Sequence, residues 1–433
     1  MSLLYRSLLR VLRRLGGLFA RPGSKLGRGL EGRREAHRAL VDWGRERRDS
    51  GRPVVWFHAP SVGEGLQARA VIDELIALRP EVQIVYTYFS PSAETLGQRM
   101  PAEVATYLPW DLPREISDVL DAVCPELVVF AKTEVWPVLT EEAVARGIPT
   151  AIIGASVPDG AGRARWPARA LLHDTWASLS VACAITDEDG ARLAELGVRG
   201  EAVHVTGDPG IDSAAERARA GAADAPYLSP FTESPRPTVV AGSTWPSGED
   251  VLVPALSDLK GELPELRVVF APHEPTDEHV SALMARLHGD SWRVARLSDV
   301  EAAGSLGEHD AIVVDSVGRL AHLYTIGDVA YVGGGFHDQG LHSVLEPAAA
   351  GIPSVFGPKH TNARAATDLL EVGGAKVASS SEEIERCLSA WLSDAESRER
   401  AGKQAFRYID RHLGAAERTA RLLVPLLEKR LQA

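Results

Sequence analysis

Short apolar runs alternate along the chain with stretches whose apolar positions recur every three or four residues. In the first half the runs fall at 54–57, 84–88, 127–131, 150–154, 182–186 and 204–206. Helical spacing separates them, as over 66–78 and 188–196. Apolar strands alternating with helices predict a parallel sheet covered on both faces. The rhythm breaks over 211–237, an Ala-rich stretch followed by a segment with three prolines, which reads as an interdomain linker. It restarts with runs at 238–241, 267–271, 293–297, 311–315, 329–332 and 354–356. The pattern predicts an α/β chain of two doubly wound Rossmann-like domains, at 36–210 and 238–400, facing a cleft. In such sheets ligands bind beyond the carboxyl ends of the strands. A helical tail at 401–433 is expected to pack back on the first domain.

The first 35 residues read differently. Leu4, Leu8, Val11, Leu12, Leu15 and Phe19 recur at helical spacing, with Arg6, Arg10, Arg13 and Arg14 mostly on the other side. Arginine interrupts the apolar run too often for a bilayer span or for the unbroken core of about 7–15 residues that a secretory signal needs. A basic amphipathic helix on an anionic membrane surface fits this pattern, and so does a helix docked on the protein's own body.

Charge sharpens the contrast. The net charge is −12, yet residues 1–30 carry seven basic residues and no acid, so the remainder sums to −19. An acidic body argues against nucleic acid as a partner. Three widely spaced cysteines, with no Cys/His cluster, suggest reduced thiols and no structural zinc. No carboxylate or histidine set has divalent-ligand spacing, so no metal is expected.

Four segments place chemistry at strand ends. HAPSVGEG (58–65) sets Glu64 between Gly63 and Gly65 as a helix begins, with His58 and Ser61 just before it. A carboxylate there suits a general base, or simply caps the helix. AKTEVWP (131–137) puts Lys132 and Glu134 past the apolar run at 127–131, where Glu134 serves a substrate hydroxyl or pairs structurally. AGSTWP (241–246) ends a strand in Gly242, Ser243 and Thr244, small residues that suit phosphate oxygens or an ordinary helix cap, and APHEP sets His273 and Glu274 at the same rim. Finally, Gly333, Gly334 and Gly335 follow a strand, and Gly340–Leu341–His342–Ser343 is expected to open a helix with Glu346 one turn along, placed for a ribose diol. The spacing is neither that of a dinucleotide fingerprint nor of a P-loop.

Taken in order, HAPSVGEG, YLPWDLP (107–113), TEVWP, AGSTW, the triple-glycine turn and LEPAAAGIPSVFGP resemble the 3-deoxy-D-manno-octulosonic acid (Kdo) transferases of lipid A assembly over about residues 50–375. The resemblance implies a GT-B fold and inverting, metal-free transfer, with no cofactor. It implies CMP-Kdo as donor and a lipid A precursor as acceptor, at the cytoplasmic face of the inner membrane, with the protein peripheral or N-terminally anchored. Glu64 matches the catalytic base, with His58, Ser61, Gly63, Lys132 and Glu134 on the acceptor side. The donor side takes Gly242, Ser243, Thr244, His273, Glu274, Gly333–Gly335, His342, Ser343, Glu346 and Asn362.

The sequence departs from the family pattern at charged positions. The segment Gly207–Asp208–Pro209–Gly210–Ile211–Asp212 lacks the usual Lys or Arg, and His273–Glu274 stands where an arginine is common. Each lost charge-assisted bond is worth roughly 1.5–3 kcal/mol. Arg69, Lys132, Arg163, Arg165 and Lys359 are the candidate replacements. A GT-B enzyme using another nucleotide sugar, a sugar-nucleotide 2-epimerase, or a non-catalytic membrane-associated homologue are the alternative readings.

Overall fold

A computed structural model describes residues 3–19, 24–132, 134–157, 168–220 and 225–431. The chain divides into two units, Met1–Ser213 with Leu413–Ala433, and Ala214–His412.

In the first unit, β1 (Val54–His58), β2 (Gln83–Tyr88), β3 (Val104–Tyr107), β4 (Leu127–Ala131), β5 (Thr150–Ala155), β6 (Val181–Ala184) and β7 (Val203–Val205) form one parallel sheet in the order β3-β2-β1-β4-β5-β6-β7. The strands alternate sides: Val54 and Trp56 of β1 enter one core, Val55 and Phe57 the other. Helix Val62–Leu78 and helix Ala415–Leu431 cover one face; Ala416, Ala420, Leu423 and Leu427 bury there. Helix Lys25–Glu46 adds Leu40, Val41 and Trp43 to the opposite core.

In the second unit, β8 (Thr238–Thr244), β9 (Arg267–Pro272), β10 (Val294–Arg296), β11 (Ala311–Val313), β12 (Val329–Val332), β13 (Ser354–Phe356) and β14 (Ala375–Val377) form a second parallel sheet, ordered β10-β11-β9-β8-β12-β13-β14. Its cores likewise take alternate residues of β8, Val239 and Ala241 on one face and Val240 on the other. The architecture is α/β with two Rossmann-like units, the GT-B plan.

Several boundaries differ from the sequence pattern. The segment read as a linker is structured: helix Pro209–Ala220 fills its start, and Tyr227, Leu228 and Phe231 bury in the second unit's core. Aromatic and aliphatic burial outweighs the local prolines there. The C-terminal helical stretch is two helices. Ala395–His412 belongs to the second unit and Ala415–Leu431 to the first, with Gly414 at φ +86° between them. Asp212 caps the last helix by accepting the Gly414 and Ala416 N–H groups at 2.6 and 2.9 Å.

The basic segment is a helix over Leu3–Phe19. Its polar residues hold it to the first unit. The Tyr5 hydroxyl donates to Asp111 at 2.9 Å, Arg6 pairs with Glu141 at 2.8 Å, and Arg13 pairs with Glu115. Leu8, Val11, Leu12 and Leu15 lie exposed along the same helix. Among the described residues no helix is long and apolar enough to cross a membrane.

Candidate functional site

In the first sheet the strand order reverses between β1 and β4, which lie side by side with His58 opposite Phe130. A reversal of this kind leaves a crevice at the carboxyl ends of the two strands. β1 leads through Ser61 into helix Val62–Leu78, whose first turn carries Glu64. β4 leads into Lys132. The topology thus brings Glu64 and Lys132 together: Lys132 Nζ stands 3.8 Å from Glu64 Oε1. The Ser61 hydroxyl donates to the other carboxylate oxygen rather than bonding a backbone N–H. Ser61-x-x-Glu64 has capping-box spacing, but the side chains bond each other and leave the helix cap unmade.

Two backbone features mark the crevice. Lys132 adopts φ +64°, a left-handed conformation that costs a non-glycine residue on the order of 1–3 kcal/mol. A side chain at Gly63 would meet nothing within 4 Å, so the space beside Glu64 is open. A side chain at Gly65, by contrast, would strike Leu96 and the Tyr86 hydroxyl. That hydroxyl is buried with no hydrogen-bond partner among the described residues, and burial followed by the Glu64 charge holds it protonated. Nothing in the sequence pattern singles Tyr86 out, because it reads as an ordinary strand residue.

The segment without its usual cation is a structural clasp. Asp208 accepts from Gln67 at 2.9 Å and from the Gly210 N–H at 2.7 Å. Burial raises its pKa, and Lys132 works against that shift, so Lys132 carries its charge to both Asp208 and Glu64. Of the other candidate replacements, Arg69 bonds Asp73 and the Arg99 carbonyl, and Lys359 bonds Asp338. Arg163 and Arg165 lie outside the described residues.

His58 does not reach the rim. It is 1% exposed, its Nδ1 lies 3.0 Å from the Thr87 hydroxyl, and Trp136 meets it edge-on at 5.8 Å. Burial depresses its pKa to about 3. It is a neutral packing residue, and this carries a sign for stability. The unfolded chain, with histidine near 6.5, binds the proton first, so folded stability falls as pH drops below 6.5 toward 3. Urea unfolding is expected to show this acid-side loss, up to roughly 1.4 kcal/mol per pH unit from His58. A His58→Asn variant should lose less between about pH 6.5 and 5. An equal slope in both proteins contradicts the assignment.

The remaining motif residues tie the loops of the first unit together. Asp111, 1% exposed, accepts the Val138 and Leu139 N–H groups at 2.9 and 2.8 Å and so caps helix Pro137–Ala145. Its pKa rises to about 6, through burial first. Glu134 lies close enough to Tyr5 for its charge to help keep that phenol protonated. Phe89 stacks on Trp136 at 5.5 Å, and the Arg33 guanidinium lies 3.9 Å over Phe89.

In the second sheet the order reverses between β8 and β12. Ser243, at the end of β8, again has positive φ, +52°. Gly333, Gly334 and Gly335 are required by close backbone approach. Added side chains would collide with Ser243, Gly340 and Gly357 backbone atoms respectively. Gly242 is a packing glycine, since a side chain there would strike Tyr324. The Thr244 hydroxyl is committed to Glu249 at 2.6 Å, and Glu249 to His279 at 3.0 Å. The Thr244 hydroxyl is thus taken within the second unit, and Gly242 is required there by packing.

The region holds an aromatic stack. Trp245 lies parallel to His273 at 4.9 Å, His273 stacks on His342 at 4.2 Å, and His337 meets Trp245 edge-on at 4.7 Å. The Trp245 indole N–H donates to His342 Nε2 at 2.7 Å. Burial, then His273 and His337, depress the His342 pKa to about 4. A neutral ring that accepts at Nε2 must carry its proton on Nδ1, so His342 presents an Nδ1–H donor. Glu274 is exposed at the same strand end.

Past the glycine turn, the expected helix is only Leu345–Ala349, with Glu346 in its first turn and Ser343 outside it. Ser343 Oγ accepts from the Leu345 N–H at 3.3 Å. Asn362 bonds both backbone groups of Leu341 at 2.9 Å and holds the turn in place. Glu346, 14% exposed, is ion-paired with Arg217 of helix Pro209–Ala220. Arg217 stands in the stretch read as a linker, which hid it.

The sequence profile of the 3-deoxy-D-manno-octulosonic-acid transferases matches residues 33–213, the stretch that contains the Glu64–Lys132 crevice. The 3-deoxy-D-manno-octulosonic acid transferase of Haemophilus influenzae is 30% identical over 383 residues, covering 87% of this chain and 87% of that protein. The chain belongs to the Kdo transferase family. The Bordetella pertussis member is 30% identical over 381 residues, covering 84% of this chain and 85% of its own length. Membership makes the chain a glycosyltransferase by family. Its fold is shared more widely. The UDP-GlcNAc 2-epimerase of Neisseria meningitidis, solved with UDP-GlcNAc, superimposes with a TM-score of 0.61 at 16% identity, covering 87% of this chain and 100% of that one.

Proposed function

We propose that this member of the Kdo transferase family moves Kdo from CMP-Kdo to a lipid A precursor, with inversion and without a metal, using Glu64 as general base. The observation that carries the reading is Glu64 itself, held by the Ser61 hydroxyl and the Lys132 ammonium at the β1/β4 crevice beside open space at Gly63. An acceptor hydroxyl gives its proton to Glu64 as its oxygen bonds the anomeric carbon. The bond from that carbon to the phosphate oxygen breaks, and CMP leaves with the electron pair. Lys132 supplies a cation for the sugar carboxylate. Backbone N–H groups near Ser243 and Gly334–Gly335, with the His342 Nδ1–H, receive the phosphate charge as fixed dipoles. Glu346 reaches a ribose diol by sharing or exchanging its Arg217 contact.

Purified protein given freshly made CMP-Kdo and a tetraacylated lipid A precursor, with EDTA present, should yield Kdo-extended lipid, and a Glu64→Ala variant should not. His273, stacked between Trp245 and His342 where the family pattern has an arginine, favours one second reading, a different nucleotide-sugar donor. Absence of product from folded protein with CMP-Kdo, and product with another nucleotide sugar, selects it.

The same reading places the chain on the cytoplasmic face of the inner membrane, peripherally. Supporting this, helix Leu3–Phe19 spends Tyr5, Arg6 and Arg13 on the protein and leaves Leu8, Val11, Leu12 and Leu15 outward. The helix is held to the body through its polar side chains, which leaves its outward leucines for a membrane surface. Vesicle flotation with anionic lipid should capture the protein. Leu12→Glu is expected to weaken capture about ten-fold or more, since a buried leucine is worth roughly 1.5–3 kcal/mol. Unchanged capture removes this helix from membrane contact.

A further inference from the structure

The second unit contains a cavity of about 600 Å³ that none of the motifs reaches. It lies at the amino ends of the strands, where Pro237 precedes β8, Arg267 begins β9 and Asp328 precedes β12. Ser243 and Gly333 stand at the other end of the same strands, roughly 20 Å away along a seven-residue strand. The volume falls within the range of small-molecule sites, about 300–1,000 Å³.

Its charge is unbalanced. Arg236, Arg267 and Arg398 all line it, against a single carboxylate, Asp328. Asp328 is already engaged, accepting the Thr238 N–H at 2.9 Å and lying 3.3 Å from Arg398. Arg267 is 1% exposed. Its Nε donates to the Thr238 hydroxyl at 3.1 Å and its Nη1 to the Ser234 carbonyl at 3.0 Å, both neutral acceptors. Among the described residues no carboxylate forms a salt bridge with it; burial and the Arg236 charge disfavour its own charge, and Asp328 offsets only part of that. Arg236 donates to the Glu265 carbonyl, again a neutral partner. A buried guanidinium without a direct ion-pair partner is costly, and the fold retains one in the lining of a cavity. Phe231 and Leu392 add apolar wall beside the guanidinium groups.

We infer that this cavity is a binding site for a small organic anion, a phosphate or carboxylate carried on an apolar body. Guanidinium forks match the planar oxygens of either group, and the apolar wall takes the remainder of the molecule. The site is separate from the donor and acceptor motifs, and β8 and β12 run from it to the Ser243 and Gly333 turns.

The test is calorimetric titration of the full chain with phenyl phosphate, phenylacetate and neutral 2-phenylethanol. At least one of the two anions should bind saturably and the alcohol should not. Which anion binds more tightly separates the phosphate source from the carboxylate source. Arg236→Gln, at a half-buried edge, should weaken binding about ten-fold, the loss of one charge-assisted contact. Thr325→Trp, at an exposed lining residue, should fill the cavity and abolish binding with all arginines intact. His342→Ala should leave binding unchanged. Equal binding in both cavity variants with unchanged circular dichroism overturns the inference. So does loss only in His342→Ala, equal affinity for the alcohol, or no saturable binding of either anion at millimolar concentration.

Discussion

Replacing Glu64 with glutamine is expected to lower the rate of Kdo transfer about 10²- to 10⁴-fold, the usual contribution of a positioned general base. That range corresponds to roughly 2.7–5.5 kcal/mol of barrier. Glutamine keeps the length of the side chain and an oxygen for the Ser61 hydroxyl, so the helix start should survive. The loss should fall on kcat, because the carboxylate acts on a proton in flight and contributes little to holding the ground state. A variant that keeps its kcat, or that loses only KM, removes Glu64 from the chemistry and leaves it a structural partner of Ser61 and Lys132.

Asp111→Ala should be strongly destabilising, although the residue lies outside the crevice. Three donors converge on that carboxylate: the Val138 and Leu139 N–H groups and the Tyr5 hydroxyl. Leaving buried donors unmet costs about 1–3 kcal/mol each, and partial rehydration brings the expected total to about 3 kcal/mol. Thermal unfolding should fall by roughly 6–12 °C. Asp111→Asn retains an acceptor oxygen and should lose less. The sign with pH follows from the raised pKa of about 6, due first to burial. The folded state holds the Asp111 proton more tightly than the unfolded chain, so the wild type gives up stability from this group as pH rises through about 6, and the asparagine variant does not. Equal stability of Asp111→Ala and wild type at neutral pH refutes the capping role. Membrane capture offers a second readout, since Tyr5 of the exposed-leucine helix ends on the same carboxylate.

What the sequence made legible depended on the kind of signal. Strands that cross a sheet interior announce themselves as unbroken apolar runs, and β1, β4, β12 and β13 lie at or within a residue of the runs read for them. The two strands with no recognised run, β3 and β14, are both at sheet edges. β3 is only partly buried over most of its length and reads Val-Ala-Thr-Tyr, too short and mixed for periodicity to register. At the site, sequence order alone put Glu64 and Lys132 at strand ends, and the reversal of strand order then brought them together. Arg217 was not legible because its partner Glu346 lies 129 positions away, in a stretch that composition marked as a spacer. His58, named among the acceptor-side residues, is buried, because adjacency to a functional loop says nothing about which way a strand-end side chain turns. The glycines at 333–335 were read as openings for a ligand, yet each is also demanded by a neighbouring backbone.

One consequence follows from the helix Ala415–Leu431 lying in the first unit while 214–412 forms the second. In topological terms the second unit is an insertion within a discontinuous first one. During synthesis the ribosome completes the second unit's sequence before it supplies the helix that covers Ala68, Val71 and Leu75 of helix Val62–Leu78 and its neighbours in that core. The first unit therefore begins first and finishes last. Until then its apolar face stands uncovered, and a nascent chain stalled before residue 413 exposes that face to chaperones or proteases while the second unit is already closed.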